Sequence, residues 1–245
     1  YARTHNGHLP DEYSVERYAF ERASDWLEQH HEEPFFLFYS LYRPHAPLAV
    51  PDDVEKPSVE DLPILQWNDR DLISTPSLRQ RIAFMNNNQD NAYNTGLDIA
   101  KTFAEDSRLS DTARRTQSVH SYNGFRLDYF RSISYIDRYV GRILDTLEAL
   151  GRSEDTMIVF TSDHGDMIGE HGLNLKMCFY DAAIKVPLLI HIPSQWNEGK
   201  VEDRPVMLLD LVPTIASQFD IDIEDDLPGI DLTAHTYGYD RPVYS

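Results

Sequence analysis

Cysteine is nearly absent from this chain: Cys178 is the single one among 245 residues. One thiol excludes an internal disulfide framework and a cysteine zinc cluster. Lysine is scarce too. Five lysines and 17 arginines stand against 26 aspartates and 15 glutamates, for a formal net charge of −19 at pH 7. Such a chain lacks the basic footprint that nucleic acid or an anionic membrane surface needs, so neither is expected as a partner. A small anion still fits, but only in a locally positive pocket or at a metal. Much aspartate with little lysine also suits work in high salt, where screening weakens self-repulsion. No apolar run approaches the ~18 residues of a membrane span. What remains, 41% apolar and 26% charged residues, is a globular composition long enough for one large domain or two small ones.

The apolar pattern alternates between helix and strand. From Asp11, Tyr18, Ala19, Ala23, Trp26 and Leu27 recur at helical steps until Pro34. Residues 35–42 form a continuous aromatic-rich run, read as a strand buried on both faces. Residues 48–110 are poorly periodic and insertion-like. A long helix is predicted over 112–150, with Phe130, Ile133, Ile136, Val140, Ile143, Leu147 and Leu150 on one stripe and Gly151 as its stop. Strands are predicted at 157–162 and 186–192, and a helix at 211–219 with Pro213 in its first turn. This order predicts an α/β fold with a mostly parallel central sheet flanked by helices. Residues 1–235 are read as one partial domain and 236–245 as the start of a smaller C-terminal subdomain. The chain opens on Tyr1 without a signal-peptide pattern. It stops at Ser245 in what reads as an interrupted strand, so truncation is expected at both ends.

Three places carry candidate chemistry. Asp163-His164-Gly165 lies just past a predicted strand, at the edge where α/β sheets build sites. A carboxylate and an imidazole there can share one cation, of Ca²⁺, Mg²⁺, Mn²⁺ or Zn²⁺ type. The same residues also suit a turn in which Asp163 caps local N–H groups. Gly169 to Lys176 follows, Gly-rich and polar. Lys176 is either a point charge for an anionic group or a solvated loop lysine. His171 is either a metal ligand, a substrate contact or a hydrogen-bonded loop histidine. Third, His45 stands between Pro44 and Pro47 on a stiff turn after the predicted 35–42 strand. Parallel strands would bring His45 and Asp163 to the same sheet edge.

These blocks resemble the sulfatase family of the alkaline-phosphatase-like superfamily. The likeness lies in Thr161 to Gly172, Lys176, Tyr180-Asp181 and Val186-Pro187-Leu188-Leu189. It lies also in Pro34 to Leu37 with Pro44 to Pro47, Ser134 to Asp137 with Val140 to Arg142, and Asp210 to Ile215 with Pro228-Gly229. Histidine after the aspartate is most similar to the choline-sulfatase and phosphonate-monoester-hydrolase branches. The resemblance implies a metal-assisted sulfuric ester hydrolase acting on a small-molecule or carbohydrate sulfate ester. Asp163 and His164 would be ligands of one divalent cation, calcium first, with magnesium or manganese as alternatives. Lys176 and His45 would contact the sulfate and bridging oxygens as the catalytic pair, with His171 as a further substrate contact. Asp181 and Lys185 would form a structural ion pair. The family's nucleophile motif, Cys or Ser followed by x-Pro-x-Arg, and its early Asp-Asp metal ligands are not in this sequence. Cys178 is followed by Phe179-Tyr180 and reads as a packed thiol. In Ser74-Thr75-Pro76-Ser77-Leu78-Arg79 the arginine falls one place late. The formylglycine nucleophile is therefore expected upstream, and this chain alone is expected to be inactive. A phosphodiester or phosphonate monoester hydrolase, or a non-catalytic degenerate member, are the alternative readings.

Overall fold

The computed structural model describes residues 10–46, 48–64, 111–172, 175–176, 178–193, 199, 201–223, 227–234 and 243, with side chains of the long helix from residue 123 onward. The Ser74–Arg79 stretch, most of the insertion-like region and the expected 235/236 boundary lie outside them. The chain divides into two compact units, residues 1–156 with 166–175, and residues 157–165 with 176–245.

The first unit is built on two helices, α1 (Val15–His30) and α2 (Asp111–Ala149). Ser14 caps α1 by accepting the Arg17 N–H at 3.0 Å. The buried row of α1 is Glu16, Phe20, Ala23 and Leu27, while Tyr18 is 65% exposed. The expected stripe is thus rotated, because a buried carboxylate took the place of an apolar residue. The same correction holds on α2. Its buried row is Ser132, Tyr135, Tyr139, Ile143 and Leu147, and Ile133 lies outward. The two tyrosines tolerate burial because both hydroxyls donate to Asp11 Oδ1 at 2.6 Å. Burial alone would raise the Asp11 carboxyl pKa. The Tyr135 and Tyr139 hydroxyls, with Arg17 and Arg138, outweigh it and hold the carboxyl below its usual range. Arg142 lies 3.8 Å over the Phe20 ring between the helices.

Gly151 ends α2 as expected. At φ +69° its N–H bonds the Glu148 carbonyl at 2.9 Å, and the Arg152 N–H bonds the Leu147 carbonyl at 2.8 Å. This is a Schellman ending, and it needs a left-handed residue. Nothing lies within 4 Å of a Cβ built at Gly151. Gly151→Ala is therefore expected to cost backbone strain only, about 1 kcal/mol, lowering Tm by roughly 2–4 °C in a thermal melt. An unchanged Tm would mean that this helix end does not hold its left-handed turn.

Residues 35–42 are extended, with burial alternating residue by residue, but they form no ladder among the described residues. Phe36 and Phe38 are 72% and 82% exposed. The expectation of burial on both faces is not met: no described strand covers their outer face. Residues 48–64 then run along α2, bound by Arg131 to the Val54 and Pro51 carbonyls at 2.8 Å each and by Arg138 to Asp53 at 3.0 Å.

The second unit holds β1 (Ile158–Thr161), α3 (Asp181–Ile184), β2 (Leu188–His191) and α4 (Leu211–Gln218). Both strands fall inside their predicted spans. They pair antiparallel, Ile158 opposite His191 and Thr161 opposite Leu188, so this pair departs from the parallel expectation. A parallel return needs a crossover, usually a long helix. Among the described residues of this unit, the helix between the two strands is the four-residue α3. Among the described residues no helix is long and apolar enough to cross a membrane.

Candidate functional site

β1 runs directly into the Asp163–His164 turn. Ser162 Oγ donates to the His164 carbonyl at 3.0 Å, and the His164 N–H donates to Asp163 Oδ1 at 2.9 Å. Gly165 then passes under α3, its N–H on the Ala183 carbonyl at 2.8 Å. A Cβ at Gly165 would stand 2.0 Å from the Ala182 carbonyl oxygen, so no side chain fits there.

The imidazole orientation follows from one bond. His164 Nδ1 lies 2.8 Å from the Gly165 carbonyl, which can only accept. The ring proton therefore sits on Nδ1, and the Nε2 lone pair faces Asp163 Oδ2 at 3.4 Å. Two acceptors so placed repel unless a proton or a cation comes between them. Ligand bonds to calcium are about 2.3–2.6 Å, so one ion can touch both atoms. The carbonyl on Nδ1 is the second partner that a metal-binding histidine ordinarily has. Asp163 is open to incoming groups, its side chain 81% exposed. Among the described residues no group of three or more His, Cys, Asp or Glu side chains gathers around an ion site. The two residues thus fit a cation as a pair and would supply only part of its shell.

Residues 166–175 belong to the first unit. Asp166 organises them. Its Oδ1 accepts the Ile168 and Leu175 N–H groups, each at 3.0 Å, while the Met167 N–H reaches the Leu175 carbonyl at 2.8 Å. Met167 is fully buried. Burial, with Asp166 nearby, pushes the Tyr129 hydroxyl up to about 12. Ile168, His171 and Leu175 all have positive φ, of 33°, 52° and 66°. For a β-branched residue such as Ile168 this is a strained conformation. Strain of this kind tends to gather at functional loops. Asp166 was not singled out from the sequence, although an aspartate bonding the N–H two residues on is a known turn former.

Lys176 opens the return into the second unit, half-buried, its carbonyl accepting the Cys178 N–H at 2.6 Å. Cys178 is a half-buried free thiol. Asp181 and Lys185 pair at 2.7 Å as expected. Both are about three-quarters exposed, a surface pair of small energetic weight. His45 sits exposed in the first unit. Its Nδ1 donates to the Ala46 carbonyl at 2.9 Å and its ring lies 4.9 Å from Tyr42. Asp163, His164 and Lys176 thus belong to one unit, while His45 and His171 belong to the other.

The Sulfatase family model matches residues 3–221. The chain is similar to a choline-sulfatase of Rhizobium meliloti (strain 1021), 40% identical over 119 residues, 47% of this chain and 23% of that protein. It is similar to an arylsulfatase of Clostridium perfringens (strain 13 / Type A), 30% identical over 206 residues, 82% of this chain and 37% of that protein. A solved phosphonate monoester hydrolase from Silicibacter pomeroyi aligns with a TM-score of 0.68 at 23% identity, over 91% of this chain and 41% of that one. That likeness shows the alkaline-phosphatase-like α/β fold. The chain spans about a quarter to two-fifths of the length of these proteins.

Proposed function

Because this chain belongs to the sulfatase family, we propose that the protein carrying it hydrolyses sulfuric esters, with roles in that reaction for Asp163, His164, Lys176, His45 and His171. The observation that carries the reading is the Asp163–His164 pair, whose facing Oδ2 and Nε2 atoms, 3.4 Å apart, can share one cation. Family members generally use a metal ion and a formylglycine. Asp163 and His164 would hold a divalent ion, calcium first, with magnesium or manganese as alternatives; the Asp163 oxygen suits these hard ions. A bound cation supplies Lewis-acid polarisation of the ester.

The chain's own residues do the rest. Lys176 places an ammonium against the sulfate oxygens, where charge grows as the S–O bond breaks. His45, whose Nδ1 donates to the Ala46 carbonyl, keeps Nε2 for the substrate, and when that nitrogen is protonated as well, as an imidazolium, it donates to the bridging oxygen. His171, held left-handed, contacts the substrate from the strained loop. The nucleophile is supplied from outside these residues, since no Cys- or Ser-x-Pro-x-Arg is present. The net charge of −19 favours a singly charged sulfate monoester over a doubly charged phosphate monoester. Residues 236–245 are proposed to open a smaller subdomain.

The test compares initial rates on an aryl sulfate, an aryl phosphate and a phosphonate monoester. Sulfate is expected to be turned over fastest, and Lys176→Ala to lower kcat/KM for it by about 10²–10³-fold. A faster phosphonate rate would overturn the sulfatase reading in favour of phosphonate hydrolysis. A Lys176→Ala enzyme of full activity would remove Lys176 from the site.

A further inference from the structure

We propose that Glu16 and Arg43 are positioning residues that set the place of His45, a reading that rests on His45 contacting the ester as proposed above. Glu16 lies in the first turn of α1 and is fully buried; the Arg43 side chain is 5% exposed. Glu16 Oε1 accepts the Arg43 backbone N–H at 3.3 Å, and Oε2 accepts Arg43 Nη1. Arg43 Nη2 donates to the Ala49 carbonyl. One guanidinium therefore ties both feet of the loop that carries His45 to a helix. Its Cζ lies 5.6 Å over the Tyr135 ring, which limits its rotation. Above this base the tip is closed by Tyr42. The Tyr42 hydroxyl donates to the Ala46 carbonyl at 3.2 Å, and the Tyr42 carbonyl accepts the His45 N–H at 3.2 Å.

Stability alone does not explain the pair. A buried ion pair is commonly no better than apolar residues of equal volume. This one also leaves Arg43 Nε buried with no acceptor among the described residues, a further cost. What the pair does, and an apolar pair would not, is tie Arg43 and, through its guanidinium, Ala49 to Glu16 of α1 by directed hydrogen bonds. Lysine keeps the charge but has no planar fork to reach Glu16 and Ala49 together.

The experiment is a double-mutant cycle of Arg43→Lys and His45→Ala in the full-length protein, read as kcat/KM on an aryl sulfate, with thermal melts alongside. Arg43→Lys is expected to lower kcat/KM by about 10- to 100-fold, the size of a small misplacement of a reacting group. In the His45→Ala background the same change is expected to add less than about twofold, because a positioning residue has nothing left to position. Full additivity would overturn the proposal and leave a purely structural role, as would a wild-type rate for Arg43→Lys when His45→Ala is impaired. A wild-type rate for His45→Ala instead overturns the ester contact itself. If Arg43→Lys does not fold, Glu16→Met with Arg43→Met replaces it in the cycle with the same expectation and the same overturning result.

Discussion

Asp163→Ala in the protein carrying this chain is expected to lower kcat/KM for an aryl sulfate by about 10³-fold or more, since a lost Lewis acid is worth several kcal/mol and each ~1.4 kcal/mol is tenfold. Tm is expected to hold. The side chain is 81% exposed, and its Oδ1 serves only the local N–H of His164 and the Ser162 hydroxyl. Exposed sites of this kind change stability by about 0.5 kcal/mol or less. Asp163→Asn keeps the shape but removes the charge, so activity should return in part as the calcium concentration is raised. The ligand assignment rests on that rescue. An Asp163→Ala enzyme with a full rate and no calcium dependence would show that the turn merely caps its own N–H groups, the other reading of the same sequence.

Legibility in the sequence followed the range of the interactions. The helix ending at Gly151 and the Asp181–Lys185 pair rest on neighbours a few residues apart, and the two strands on short continuous apolar runs, and each was readable. The buried rows of α1 and α2 were not. Periodicity ranks Ile133 above Tyr135, but Asp11, more than a hundred residues away, accepts both tyrosine hydroxyls and makes Tyr135 and Tyr139 the buried pair. Glu16 was invisible for the same reason, since its burial depends on Arg43. Strand sense is another matter: apolar content says that residues 158–161 and 188–191 are strands and nothing about the direction in which this pair runs. At the site, residue types and spacing pointed to Asp163 and His164. The Nδ1 bond to the Gly165 carbonyl, which aims the lone pair at the carboxylate, is a geometric fact that no motif states.

Asp210→Ala is expected to have the largest effect on stability, about 3–5 kcal/mol. Asp210 is fully buried. Its Oδ2 accepts the Met207 N–H at 2.7 Å and its Oδ1 the Ile230 N–H at 3.0 Å. Its carbonyl accepts the Thr214 hydroxyl at 2.6 Å, and that hydroxyl in turn accepts the Leu232 N–H at 2.9 Å. One carboxylate and one hydroxyl thus tie the turn before α4, the helix itself and residues 230–232 into one piece. Gly229 belongs to the same piece, since a Cβ there would stand 2.0 Å from the Leu209 carbonyl oxygen. This gives the Asp210 to Thr214 and Pro228-Gly229 blocks a physical reason to occur together. Alanine takes the carboxylate acceptor from the buried Met207 N–H and the part-buried Ile230 N–H, each a desolvation cost of up to ~1–3 kcal/mol. Asparagine can still accept one of them, so the order of stability should be aspartate, asparagine, alanine. Hydrogen exchange locates the effect: the amides of Met207, Ile230 and Leu232 should lose protection together, while those of α2 keep theirs. If the three amides lose protection independently of one another, Asp210 is not the common tie.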